Sequence, residues 1–361
     1  MRSDAGMLEA PERRCPAQPD RRHDRREEHR ADRRAEASRG PWRARLRAAW
    51  PRCKRFVVFA VMLGVLGLIA EQARTVDWPA VLRALREIPA AVLALAGALA
   101  TASFVVYASY DPIGAQLAGA PVARWRAAAT GVVSYILNLN LGSLVGGIAV
   151  RFRLYGRAGL RADTAAHILA ASMATNWLGY LGLGGALFLL RPPALPPSWA
   201  IDGAGLRLLG AALLAAAAAY LVACAWTRRG GRAAPRWTIR GHAVELPTLR
   251  IALLQLAVSA LNWALIGSVV WTLLQHRIDY ASVLTAMLVA AVAGVLTHVP
   301  AGLGVLEAVV VALLSHRLPA GELLGALLAY RALYYLGPLA LAVPAFFALD
   351  ALRTPPASST A

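Results

Sequence analysis

Eight stretches of this chain, at roughly 56–70, 88–109, 127–150, 164–190, 205–226, 251–274, 281–314 and 322–350, are dominated by Ala, Leu, Val and Gly and carry very little charge. Several approach or exceed the about 20 apolar residues a helix needs to cross a bilayer. A soluble helical protein could not hide so many uncharged runs. The sequence therefore predicts an all-α integral membrane protein with about eight membrane segments. Composition agrees: 58% of residues are hydrophobic and 16% are charged, against about 25% charged in soluble domains.

The charge is unevenly spread. Close to half of the Lys and Arg residues lie in the first 55 positions, and Lys54 is the only lysine. The formal net charge of +18 reads as the bias of cytoplasmic loops toward basic residues, not as a nucleic-acid footprint. Residues 1–54, with "RRHDRREEHRADRRAEASRG", hold too few apolar side chains to bury a core and are expected as a charged, solvated cytoplasmic tail. The first apolar run begins too late for a signal peptide. Residues 55–350 form one polytopic domain and 351–361 a short cytoplasmic tail. Cys15, Cys53 and Cys224 have no metal spacing and suggest no disulfide framework.

Orientation exposes a conflict. The linker 227–250 is Arg-rich and should be cytoplasmic, whereas 191–204 has Arg191 alone and should lie outside. Simple counting of crossings then puts 151–163 outside, although it holds Arg151, Arg153, Arg157 and Arg161. The conflict disappears if 127–150 enters from the cytoplasm and turns back. Its centre, "NLNLGSLVGGIAV", has the Asn and Gly content of a bend lined by polar groups. Broken backbone at membrane depth is tolerated only where protein or a wet cavity satisfies it. Segment 281–314 has a matching break at Pro300, Gly302 and Gly304. The expectation is two inverted halves, about 55–190 and 205–350, each with a broken or re-entrant helix, as in transporters. "TNWLGYLG" (175–182) and "YRALYYLG" (330–337) echo each other across the halves.

The candidate chemistry lies at the second break, "THVPAGLGVLEAVV". Pro300 suits the first turn of a helix, and Gly302 and Gly304 allow close backbone approach. A helix starting there would aim unpaired N–H groups at an anion such as a phosphate; a proline kink satisfied by neighbouring helices is the other reading. Glu307 follows one turn on. A carboxylate in hydrocarbon costs about 2.5–3.5 kcal/mol on insertion scales, so it should face a cavity or a partner, and Arg331 is the expected partner. The pair is either functional or a fixed structural contact; a proton-coupling carboxyl is a third option. Arg151 and Arg153 either draw headgroups toward the first break or anchor the interface. Asn138, Asn140, Asn176 and Asn262 line a polar path or join helices, and Trp177, Trp263 and Trp271 read as packing or interfacial residues.

No P-loop, G-x-S-x-G elbow or H-E-x-x-H motif is present, which argues against an ATP motor and an enzyme. "HVPAGLGVLEAVVVALL", "YRALYYLGPLALA" and "LNLNLGSLVGGIAVRFRL" resemble segments of the lysylphosphatidylglycerol synthase transmembrane domain family, the flippase-like portion of bacterial multiple peptide resistance factors. The resemblance covers roughly residues 55–350. Ala301 stands where the family has a glycine, and Gly147 where it often has an acidic residue. No aminoacyl-transferring half accompanies the domain here. The resemblance thus implies a free-standing bacterial inner-membrane protein with a role in lipid translocation or another membrane role, not lipid synthesis; movement of an anionic lipid or lipid-linked molecule between leaflets, without a cofactor, is the expected function. The expected partners are membrane lipids, chiefly anionic phospholipid, with an envelope-synthesis enzyme as the partner under the scaffold alternative. A small-solute or ion transporter and a non-transporting scaffold for envelope synthesis are the alternatives.

Overall fold

The structure is a computed structural model and describes residues 79, 83, 86–193, 202–226, 237–239, 242–244, 246–297 and 304–352. The tail 1–54, the first apolar segment 56–70, and Pro300 and Gly302 lie outside the described residues. Apart from one two-stranded hairpin in the Arg-rich linker, Trp237–Ile239 paired with His242–Val244, the described elements are helices.

Among the described residues, five helical spans are long and apolar enough to cross a membrane. The first is Ala90–Leu117, made of α1 (Ala90–Tyr107) and α2 (Tyr110–Leu117). The others are α5 (Ala162–Leu190), α6 (Gly203–Trp226), α7 (Leu249–Leu273), and Ala320–Ala351, which joins α10 (Ala320–Arg331) to α11 (Gly337–Ala351) through a π-helical turn, Ala332–Leu336. Between them lie two shorter units. In one, α3 (Arg124–Leu141) meets a π-helical stretch, Ser143–Ala149, and then α4 (Val150–Arg157). In the other, α8 (Tyr280–Thr297) packs against α9 (Val305–Leu314).

A glycine with positive φ borders each break. Gly142 ends α3 at φ 83° and Gly304 precedes α9 at φ 76°, a conformation open to glycine and costly for other residues. After Gly142 the chain doubles back: a Cβ on Gly146 would lie 2.2 Å from the Leu137 carbonyl. The chain thus reverses within the apolar stretch, as the Asn- and Gly-rich centre of 127–150 predicts.

The radial distribution of polarity is that of a protein solvated by lipid. Leu190, Leu208, Leu296, Leu341 and Val105 are exposed, while Ser103, Asp111, Thr130, Gln255, Ser259 and Asn262 are buried. With apolar chains outside, no hydrophobic difference drives helices together, so close packing and interhelical hydrogen bonds must do it. Both are present. A Cβ on Gly179 of α5 would come within 2.5 Å of the Ala260 nitrogen on α7, so the two helices touch backbone to backbone. The Gly179 N–H donates to Ser259 Oγ, which donates on to the Asn176 carbonyl. Gln255 reaches Thr175, and Trp263 Nε1 donates to the Asn176 carbonyl.

Ion pairs mark the two ends of the bundle. At one end Arg153 and Arg157 both reach Asp350 near the end of α11, and Arg126 donates to the Leu352 carbonyl. At the other, Arg277 pairs with Glu322 and Arg317 with Asp279. The Arg-rich turn after α4 therefore shares an end with the close of the last span. The contact between Gly185 and Gly210 packs the end of α5 against the start of α6. Running back along α5, α6 ends at Trp226 toward that same end.

Candidate functional site

Glu307 is the third residue of α9 and Arg331 the last of α10. Arg331 follows about 17 Å of apolar helix at 1.5 Å per residue, close to mid-depth of a roughly 30 Å hydrocarbon core. The guanidinium grips the carboxylate with two parallel hydrogen bonds, Nε to Oε1 and Nη2 to Oε2, the second at 3.0 Å. The Arg331 side chain is 11% exposed and the Glu307 side chain 19%, so the pair keeps a partly open side. The Arg331 guanidinium also lies 5.5 Å from the Tyr335 ring centroid, within cation–π range.

The π-helical turn after Arg331 sets this geometry. Such a turn frees backbone carbonyls from the regular ladder and recurs at functional positions. Asn140 of α3 takes up the Tyr335 carbonyl, donating at 3.3 Å while also bonding the Ile136 carbonyl. Tyr334 turns inward and is fully buried. Its hydroxyl lies 2.7 Å from Ser103 Oγ, which donates to Asn262 Oδ1 at 2.7 Å. Ser103 has one proton to give, so Tyr334 is the donor to it. Tyr334 also stacks on Phe104, and Tyr107 on Tyr135. An aromatic and hydroxyl seam thus joins the charged pair to α1, α3 and α7.

The first break is built differently. Arg151, the second residue of α4, is 4% exposed. Its Nε and Nη2 donate to the two oxygens of Asp111 at 3.1 Å each, and Nη2 also reaches the Tyr107 hydroxyl. Asp111 accepts further bonds from the Tyr155 hydroxyl at 2.7 Å and Ser172 Oγ at 2.6 Å. A carboxylate offers about four acceptor positions, and all are taken. Gly131 leaves the space: a Cβ there would sit 2.8 Å from Asp111 Cγ. This closed knot holds α2, α3, α4 and α5 together.

The structure therefore brings together Glu307 and Arg331, as sequence reasoning expects, with Gly304 at the head of the same helix. It places Arg151 and Arg153 elsewhere, each engaged with its own aspartate. Asp111 and Asp350 were missed. A lone aspartate in "YASYDPIG" beside apolar residues is the signal that could have flagged the first.

The sequence signature described as "Lysylphosphatidylglycerol synthase TM region" matches residues 55–342. The chain belongs to this family. Among similar proteins, the inner membrane protein YbhN of Escherichia coli K12 is 37% identical over 302 residues, which cover 83% of this chain and 93% of that protein. An uncharacterized protein of Synechocystis, slr0712, is 29% identical over 312 residues, covering 84% of this chain and 95% of that one. Membership fits the apolar spans, and places both breaks and the Glu307–Arg331 pair inside the family's region.

Proposed function

We propose that this membrane protein moves an anionic lipid or lipid-linked molecule between leaflets, and that Glu307 and Arg331 set the polarity of its path. The observation that carries the reading is a bidentate ion pair, partly exposed, near mid-depth of apolar helices and beside a backbone break. Ionisable groups at such depth mark substrate paths by default. The approaching headgroup competes with Glu307 for the Arg331 guanidinium, while the carboxylate repels it onward. Gly304 and the N-terminal turn of α9 offer the phosphate backbone amides; Pro300 and Gly302, outside the described residues, complete that turn in this reading.

Two inverted halves of about eight segments supply the framework. The paired breaks, each bordered by a glycine with positive φ, support it. So does the packing of α1 along α7, second-segment helices of the two halves. The Arg-rich end, with the C-terminus, faces the cytoplasm under the positive-inside rule. Arg151 and Arg153 act as fasteners at that end, and the chain carries out no covalent chemistry.

One measurement separates this reading from solute transport. Liposomes holding the purified chain are loaded with a small anion, and release of the anion and leaflet exchange of labelled phosphatidylglycerol are followed together. Lipid exchange without solute release is expected. Solute release without lipid exchange would favour the transporter, and neither would favour the scaffold.

A further inference from the structure

At the end of the bundle away from the Arg153–Asp350 cluster lies a cavity of about 230 Å³. It is below the about 300 Å³ at which pockets take drug-sized ligands, and suits a headgroup-sized group. Arg191, Arg317 and His316 line it, with Asp279, Thr285 and an apolar wall that includes Leu313. The charge balance favours an anion, because the one carboxylate is already used. Asp279 Oδ1 accepts the Ser282 N–H at 3.0 Å, and Oδ2 accepts from the Ser282 hydroxyl at 2.8 Å and from Arg317. Asp279 is thus the cap of α8, held by Arg317.

Two groups have no partner among the described residues. The Thr285 hydroxyl, on a residue 1% exposed, makes no hydrogen bond, and a buried polar group in that state calls for an explanation. The exposed Arg191 guanidinium has no hydrogen-bond partner among the described residues. Arg191 is also the lone basic residue of the 191–204 loop. Leu313 lies on α9 about two turns from Glu307.

We propose that this cavity binds a phosphate-bearing anion, with Arg191 and Arg317 holding the charge and Thr285 contributing its hydroxyl. Guanidinium groups match phosphate oxygens in pairs, and the apolar wall accommodates the first carbons beyond the phosphate. The ligand is either a lipid headgroup or a free phosphate. The inference concerns binding at one end of the bundle and stands whether or not the chain moves lipid.

The test uses the purified full chain in a maltoside detergent, which holds no phosphate. Inorganic phosphate and dihexanoyl phosphatidylglycerol are titrated by calorimetry, with chloride at matched ionic strength as the control. Saturable binding of at least one probe is expected. R191Q should weaken it about tenfold or more, since it removes a charge-assisted hydrogen bond to the anion. T285V, which keeps the shape and removes the hydroxyl, should weaken it severalfold. Both variants should melt within a few degrees of the native chain when no probe is present. Binding of the lipid alone assigns the site to a headgroup; binding of inorganic phosphate as well, or alone, assigns it to the phosphate group itself. If neither probe binds above the chloride control, or R191Q binds as the native chain does, the proposal is overturned.

Discussion

At the scale of single residues, the buried Asp111–Arg151 pair and the part-buried Glu307–Arg331 pair differ in how they are satisfied. Asp111 has every acceptor position filled and no exposure, so it is fixed structure. Breaking a buried pair by removing one partner costs about 3–5 kcal/mol. Asp111→Asn should therefore cost about 3 kcal/mol in thermal or denaturant unfolding, yet leave the transfer rate of the surviving folded protein near normal. The Glu307–Arg331 pair should behave in the opposite way. Glu307→Gln and Arg331→Gln each strand a charge and lose stability. The double variant strands none and should recover most of the loss while remaining inactive. Recovery of transfer along with stability would make the pair structural. This pair was legible in the sequence because two charges stood isolated in neighbouring apolar segments. Asp111 with Arg151 was not, since hydropathy does not say which helices become neighbours and the two residues are 40 positions apart.

At the scale of elements, the glycines at the breaks do different things. A Cβ on Gly142 or Gly304 would meet nothing within 4 Å, but both have positive φ. Alanine at either should cost about 1–3 kcal/mol through backbone strain alone, measured by thermal unfolding in detergent. Gly146→Ala should cost more, because its Cβ would run into the Leu137 carbonyl, and backbone cannot swing aside. Gly304→Val should depress lipid transfer beyond its effect on melting if amides at the head of α9 meet a headgroup. At the far end, burial pushes the Asp279 carboxyl up, but hydrogen bonds from Ser282 and Arg317 outweigh it and hold it below the usual carboxylate range. Its stabilising contribution is then complete above the unfolded value of about 3.9 and fades as pH falls through the lower folded value. Asp279→Asn should flatten the acid limb of the stability profile. Helix limits were legible to within about two residues for α5 and α7 because bounding charges and turn residues frame a long apolar run; the π-helical turn at Ala332–Leu336 was not, since it depends on Asn140 meeting the Tyr335 carbonyl from another helix.

At the scale of the whole molecule, an apolar exterior surrounds a polar interior, and the chain reverses at Gly142 within an apolar stretch. The arginine pattern made that reversal legible, because only a turn-back puts the loop holding Arg157 on the same side as the 227–250 linker. A cysteine at position 157 in a cysteine-free background should react with an impermeant reagent only in inverted vesicles or opened cells. Labelling from outside intact cells would refute the reversal and the sidedness together. What the apolar runs could not convey is which charges pair, and the proposed function rests on one such pair. Its direct test is leaflet-resolved transfer of phosphatidylglycerol in liposomes, scored per inserted protein, for the native chain and the Glu307→Gln, Arg331→Gln double variant. Transfer well above protein-free liposomes is expected for the native chain, and near background for the double variant at comparable melting temperature. Equal rates in the two proteins, or native rates no faster than empty liposomes, would contradict the proposed function.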